Sequence, residues 1–142
     1  KEHCIDILKS NVGTYMVAPE IDDYAGFLDG EAREEPYFVI FDGERAVACG
    51  GLAATADRVI LTWGMVRHSL HGRGVGELLL EHRLRCAADK YGSMPVHIDT
   101  SQKTEGFYKK YGFETVKRVK DGHFPGIDQV LMVYRPLRGL PS

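Results

Sequence analysis

At 142 residues, 44% hydrophobic and 27% charged, the chain has the size and balance of one globular domain with a single core. Its 18 Lys plus Arg against 20 Asp plus Glu give a net charge of −2, so no global field draws it to nucleic acid. No apolar run reaches the roughly 20 residues that span a bilayer, and no signal-peptide pattern opens the chain. Cys4, Cys49 and Cys86 lie far apart in sequence without a Cys-x-x-Cys, which argues against a disulfide framework or zinc site and makes a reducing cytoplasm the expected compartment. The missing initiator Met is expected of a trimmed or processed start.

Residues 3–29 carry Ile5, Leu8, Val12, Tyr15, Met16, Ile21, Tyr24 and Phe27 in a patchily helical pattern broken near Pro19, which predicts one or two helices. Residues 36–43 read as a strand running into a turn at Asp42-Gly43, and residues 45–54 return through Val47, Cys49 and Leu52. Asp57 and Arg58 turn the chain into residues 59–66, whose near-continuous apolar character predicts a strand buried on both faces. Residues 75–91 give the clearest helix. Val75, Leu79, Leu80, Leu84, Ala87, Ala88 and Tyr91 recur at three-to-four spacing, and Gly92 stops it. A strand over 96–100, a helix over 104–111 ended by Gly112, a strand over 113–119, a loop over 121–128 and a last strand over 129–135 complete the chain.

This order predicts an α/β fold of the α+β type, a mixed central sheet of about six to seven strands flanked by helices. The strand–helix–strand unit over 59–99 should be parallel and right-handed, with antiparallel hairpins on either side. No repeat, low-complexity tract or linker intervenes, so residues 1–142 are expected to form a single domain.

The most informative stretch is 61–76, where an apolar run ends, a short polar segment follows, and Gly72, Gly74 and Gly76 open the helical pattern. Without Cβ atoms the backbone turns tightly and a ligand can approach its N–H groups. The first amides of a helix lack intrahelical partners, and the dipole makes that end electropositive. The combination suits an anion, most often a phosphate. The run is Gly-x-Gly-x-Gly, which is neither a nucleotide-triphosphate loop nor a dinucleotide fingerprint. A connector that only caps the helix is the competing reading.

The segment His71-Gly72-Arg73-Gly74-Val75-Gly76, preceded by Val66, and the segment Ser101-Gln-Lys-Thr104-Glu-Gly-Phe107-Tyr108-Lys-Lys-Tyr-Gly112-Phe113 together resemble the GCN5-related N-acetyltransferase (GNAT) family. Its first signature is Gln/Arg-x-x-Gly-x-Gly/Ala after a strand ending in Val. Its second is Asn-x-x-Ala-x-x-Phe/Leu-Tyr-x-x-x-Gly-Phe. Phe107, Tyr108, Gly112 and Phe113 fit directly, whereas His71, Ser101 and Thr104 replace the usual Gln or Arg, Asn and Ala. The agreement extends over about 36–136.

The resemblance implies transfer of an acetyl group from acetyl-CoA, as co-substrate, to an amine, with no metal. It implies that amides of 72–76 hold the pyrophosphate and that backbone near Met65 and Val66 pairs with pantetheine and polarises the acetyl carbonyl. It also implies that strands 59–66 and 96–100 splay to admit the pantetheine arm. The implied cofactor-binding set is Met65, Val66, His71, Gly72, Arg73, Gly74, Val75, Gly76, Ser101, Thr104 and Tyr108, with Tyr108 the catalytic proton donor to the leaving thiolate. By position alone a core tyrosine is the favoured reading of Tyr108, and a solvated loop residue is an equal reading of Arg73. Strand 59–66 holds no carboxylate, and no base is assigned: His97, Asp99, Glu105 and His123 stand as alternatives to a water chain or an amine that arrives already neutral. His68 and His71 have metal-ligand spacing without a third ligand, and Lys109 and Lys110 read as a solvated helix face that could also meet the 3′-phosphate. The cluster Asp22, Asp23, Asp29, Glu31, Glu34 and Glu35 could draw a cationic amine. No nucleic acid or membrane partner is expected, and the last strand with its tail could support a homodimer. A noncatalytic acyl-CoA-sensing module of the same fold is the alternative.

Overall fold

The computed structural model describes residues 1–11, 20–30 and 36–136, with the side chains of Glu20 and Ile21 outside that description. Val12, Tyr15, Met16 and Pro19, the acidic residues Glu31, Glu34 and Glu35, and the tail after residue 136 therefore lie outside the described residues.

Helices α1 (Glu2–Asn11) and α2 (Glu20–Asp29) form where the patchy helical pattern predicts them. On α1, Cys4, Ile7, Leu8 and Asn11 are buried, an i, i+3, i+4, i+7 stripe that ends on a polar residue. Strands β1 (Tyr37–Asp42) and β2 (Arg45–Ala54) pair antiparallel. Asp42 pairs with Arg45, so the two-residue turn is Gly43-Glu44, one position beyond the expected Asp42-Gly43. Gly43 at φ 63° supplies the positive angle that a tight hairpin needs at its first central residue. Strand β2 is buried from Ala46 to Leu52, and its small residues allow cover on both faces.

Strands β3 (Val59–Val66) and β4 (Val96–Thr100) and helix α3 (Val75–Tyr91) match the expected boundaries. β3 and β4 pair in parallel through Val59↔Val96 and Ile60↔His97. Only Val59, Leu61 and Met65 of β3 are fully buried, so the expectation of burial on both faces holds partially. On α3, Leu79, Leu80 and Ala87 are buried together with Arg83, whereas Ala88 is exposed.

Helix α4 (Glu105–Lys110) is shorter than predicted by a residue at each end. Strands β5 (Glu114–Phe124) and β6 (Ile127–Tyr134) run further, and the expected loop over 121–128 contracts to a two-residue turn at Pro125-Gly126. Asp, Gly and Pro there resemble a loop, but Asp121 and Gly122 fall in a bulge and Pro125 and Gly126 make the turn. The register shifts between Val119 and Phe124, and Asp121 adopts φ 55°. Asp121 N donates to Asp128 Oδ1 at 3.0 Å, and Gly126 N donates to Asp121 Oδ1 at 2.7 Å, so carboxylates satisfy backbone that ladder bonds leave open. β5 is an edge strand exposed over nearly its whole length, and Lys117, Arg118 and Lys120 guard it against edge pairing.

The six strands form one mixed sheet in the order β1-β2-β3-β4-β6-β5, flanked by helices, as the chain order predicts. β6 lies between β4 and β5, so both its edges are occupied and a dimer could not extend the sheet through it. By contact density the described residues of Lys1–Ala53 and Thr62–Cys86 make one compact unit, and those of Ala54–Leu61 and Ala87–Ser142 a second. In the first, Cys4, Ile7, Leu8, Tyr24, Cys49 and Met65 are among the buried residues of one cluster. Cys4 and Cys49, distant in sequence, both lie in it as free thiols, with Cys49 Sγ 3.3 Å from the Tyr24 hydroxyl. In the second, Met132 on β6 has no exposed surface. Met132→Ala is expected to lower unfolding stability by about 2–5 kcal/mol, read as a shifted denaturant midpoint at unchanged m-value. Among the described residues no helix is long and apolar enough to cross a membrane.

Candidate active site

In the first unit, β3 carries a kink and then hands over to the glycine loop. Trp63 sits at φ 37°, in the left-handed region that a bulky residue rarely adopts. Tyr37 donates its hydroxyl to Trp63 O at 2.9 Å, and the Tyr24 and Tyr37 hydroxyls meet at 2.5 Å. Burial pushes both phenols far above their ordinary value, so they stay protonated. Met65 is buried and Val66 half-buried. Val66 O accepts from Asn11 Nδ2 at 2.9 Å and lies 2.8 Å from His71 Nε2, which must carry the ring hydrogen to donate. His71 therefore ties the loop to the strand that precedes it. Arg67, 8% exposed, donates Nε and Nη2 to Ala46 O at 3.1 and 2.8 Å and Nη1 to Asp6 at 2.9 Å, anchoring the same corner to β2 and α1.

After a 3₁₀ turn at His68–Leu70, Gly72 and Gly74 adopt φ 79° and 80°. A Cβ at either would meet nothing within 4 Å, so it is backbone conformation, not crowding, that selects glycine. The first helical bond of α3 runs from Leu78 N to Gly74 O at 3.1 Å. The amides of Val75, Gly76 and Glu77 thus precede the ladder at the electropositive end of a 17-residue helix. Gly72, Arg73 and Gly74 are exposed, and Val75 and Gly76 half-buried, so an anion has access and the Arg73 guanidinium is close in sequence to meet it.

In the second unit, Ser101 and Thr104 start α4. Ser101 O accepts from Thr104 N and Glu105 N at 3.1 and 3.0 Å, Ser101 Oγ accepts from Lys103 N at 3.3 Å, and the Thr100 and Thr104 hydroxyls bond each other. The residues in the variant motif positions therefore make internal bonds. Tyr108 is 8% exposed, its ring edge-to-face with Phe107 at 5.1 Å and near Phe113 at 5.3 Å.

Glu105 is a buried carboxylate in the first turn of α4. Arg118 Nη2 reaches both its oxygens at 2.6 Å and Thr115 Oγ1 donates at 2.5 Å. Arg118 first and Thr115 second hold its pKa below the ordinary carboxylate value. Such a group stabilises the fold above its unfolded pKa, about 4.3, and that stabilisation is lost as pH falls through the lower folded value. Glu105→Gln should therefore be less stable than the parent at pH 7, with the gap closing in acid. A gap equally wide from pH 7 to about 3 would show that the carboxylate charge is not what Glu105 contributes.

The other candidates separate clearly. Burial, with Arg58 and Arg135 adding to it, holds His97 below the usual histidine value. Asp99 Oδ1 lies 2.9 Å from His123 Nε2, and Gln129 Nε2 donates to Asp99 Oδ2 at 2.9 Å. Glu105 is taken by Arg118, and Lys109 lies 3.7 Å from it. Lys110 stands 5.7 Å from the Tyr111 ring centroid. The His68 and His71 rings are 5.1 Å apart, and among the described residues no group of three His, Cys, Asp or Glu is placed to hold a metal. Asp22 and Asp23 are exposed, and Asp29 accepts from Lys1 at 2.8 Å.

Asn11, Arg67 and Arg83 escaped the sequence reading. Arg83 left a signal, since it interrupts the apolar stripe of Leu79, Leu80, Leu84 and Ala87. Asn11 closes the apolar stripe of α1 in the same way. Arg67 follows an apolar strand directly, where a solvated turn residue is the ordinary expectation.

A mixed sheet with a glycine loop at the start of α3 is an arrangement suited to binding an anion. The family model for the acetyltransferase (GNAT) domain matches residues 33–115, more than half of the chain, and the chain belongs to that family. No curated protein matches it in sequence. Among solved structures it is similar to an aminoglycoside 6′-N-acetyltransferase complexed with coenzyme A, at 12% identity and TM-score 0.74, over 99% of this chain and 92% of the other. It is also similar to the IAA acetyltransferase of Bacillus cereus, at 18% identity and TM-score 0.69, over 84% and 87%. Escherichia coli ElaA matches at 19% identity and TM-score 0.62, over 69% of this chain, which spans 66% of that protein. At such identities the likeness shows the fold alone.

Proposed function

We propose that the chain, acting as one catalytic domain over residues 1–142, transfers the acetyl group of acetyl-coenzyme A directly to a primary amine of a small molecule or protein in a ternary complex. The observation that carries this reading is the pair of left-handed glycines, Gly72 and Gly74, ahead of the amides that precede the hydrogen-bond ladder of α3. Those amides, with Arg73, bind the pyrophosphate. Val66 O is already engaged by Asn11 and His71, so the backbone of Met65 and the N–H of Val66 are what β3 offers the pantetheine and the acetyl oxygen.

The amine nitrogen attacks the thioester carbon, the carbonyl collapses from its tetrahedral state, and the C–S bond breaks. The ammonium of the tetrahedral intermediate loses its proton to solvent or to a base, the departing thiolate takes one from the Tyr108 hydroxyl, and solvent returns a proton to the phenolate. Alignment of the two reactants in one complex supplies much of the acceleration, on the order of 7–11 kcal/mol in the best intramolecular cases. The free thiols Cys4, Cys49 and Cys86 support a reducing cytoplasmic setting.

Thiol release from acetyl-coenzyme A over an amine library, at several pH values, tests the reading. Turnover with at least one amine is the expected result. The internal bonds of His71, Ser101 and Thr104 favour the second reading, a sensor of acyl-coenzyme A. Saturable coenzyme binding without turnover across the library would establish it and overturn the enzyme.

A further inference from the structure

The least expected side chain in the first unit is Arg83. It is 1% exposed, it rises from the buried face of α3, and no carboxylate pairs with it among the described residues. Its Nη1 donates to Gly51 O at 3.2 Å and to Thr62 O at 3.4 Å, and its Nε is buried with no hydrogen-bond partner. A buried cation supported by two long bonds is costly to the fold. The sheet nevertheless makes room for it. A Cβ on Gly50 would stand 3.2 Å from Arg83 Cζ, and one on Gly64 would stand 2.9 Å from it. Two glycines on adjacent strands thus form the floor on which the guanidinium lies.

That floor adjoins the kink. Thr62 O is gripped by Arg83, Gly64 lies against its guanidinium, and between them Trp63 is held at φ 37°. A bulky residue in that region persists only where its surroundings impose it. Tyr37 supplies one constraint through Trp63 O, and the Tyr24 ring, 4.9 Å from the indole, supplies another. Arg83 supplies the constraint on the flanking residues. Met65 and Val66 follow directly, so the angle at Trp63 and Gly64 sets where their N–H groups point.

We propose that Arg83 is a positioning residue, whose guanidinium locks Thr62 to Gly64 in the kinked form that aims the Met65 and Val66 backbone at the thioester carbonyl. This rests on the acetyl-transfer reading above.

The test compares the parent with Arg83→Met and Arg83→Lys, using acetyl-coenzyme A labelled with ¹³C at the thioester carbonyl. In the parent, the infrared carbonyl band of bound acetyl-coenzyme A should shift to lower frequency. In Arg83→Met the shift should vanish and kcat should fall about 10- to 100-fold, while affinity for coenzyme A itself stays within about threefold. Arg83→Lys, which keeps the charge and one donor, should fall between, and it carries the comparison if the methionine variant does not fold. Gly64→Ala should reproduce the loss by displacing the guanidinium, yet add little on top of Arg83→Met. A folded Arg83 variant with the parent's carbonyl band and kcat overturns the proposal while acetyl transfer stands. A parent that shows neither bound band nor turnover overturns the acetyl-transfer reading itself.

Discussion

Tyr108→Phe is expected to lower kcat about 100-fold while KM for acetyl-coenzyme A stays within about twofold. The substitution removes one oxygen and keeps the ring. The edge-to-face contacts with Phe107 and Phe113 remain, so folding stability should change little. What changes is the departure of sulfur. A thiol of the cysteine type ionises near about 8.5 and a phenol near about 10, so at neutrality the phenol still holds the proton that the thiolate needs. The effect belongs to the low end of general-acid contributions, about 10²–10⁴, because a thiolate is already a fair leaving group. An acyl donor with a more acidic thiol should lose less on the same substitution. Steady-state kinetics on the two donors check both points, and an unchanged kcat would remove Tyr108 from the chemistry.

The loop and helix that frame this chemistry were legible because their signals are local. Three glycines at alternate positions, then apolar residues at three-to-four spacing up to Gly92, allow little besides a turn and a helix, and α3 spans Val75–Tyr91 as that pattern requires. Strands β3 and β4 were equally plain, β3 as a near-continuous apolar run bounded by polar turns and β4 as a short alternation of Val96 and Ile98 with His97 and Asp99. What the sequence concealed depends on partners remote in the chain. Nothing near Trp63 signals a positive φ, because the constraint comes from Tyr37, Tyr24 and Arg83. His71 looked like a poor substitute for a cofactor-contacting Gln or Arg. In the structure its ring closes the loop onto Val66 O, 5 residues back. The β5–β6 hairpin misled for a third reason, since its Asp and Gly residues serve a bulge in a ladder that composition alone reads as loop.

Replacing Gly72 and Gly74 together by alanine should weaken coenzyme A binding on the order of 100-fold, with little loss of global stability. Each glycine sits near φ 80°, where an L-residue pays about 1–2 kcal/mol, and each would place its Cβ in open space. The penalty is therefore conformational. A surface loop relieves it by relaxing, which leaves the anion-binding form a minor population and multiplies the apparent affinity by its fraction. At about 1–2 kcal/mol per site, each alanine costs roughly 5- to 30-fold, and the pair compounds. Asparagine tolerates the left-handed region better, so the double asparagine variant should bind more tightly than the double alanine one. A crowding mechanism predicts the reverse order, since asparagine is the larger residue. Calorimetric titration with coenzyme A distinguishes the two. The same titration with dephospho-coenzyme A, which keeps the pyrophosphate but lacks the 3′-phosphate, should show the same fold loss if the loop grips the pyrophosphate. A loss confined to the intact coenzyme would move the contact to the 3′-phosphate and take the Gly72–Gly76 amides out of the role argued for them.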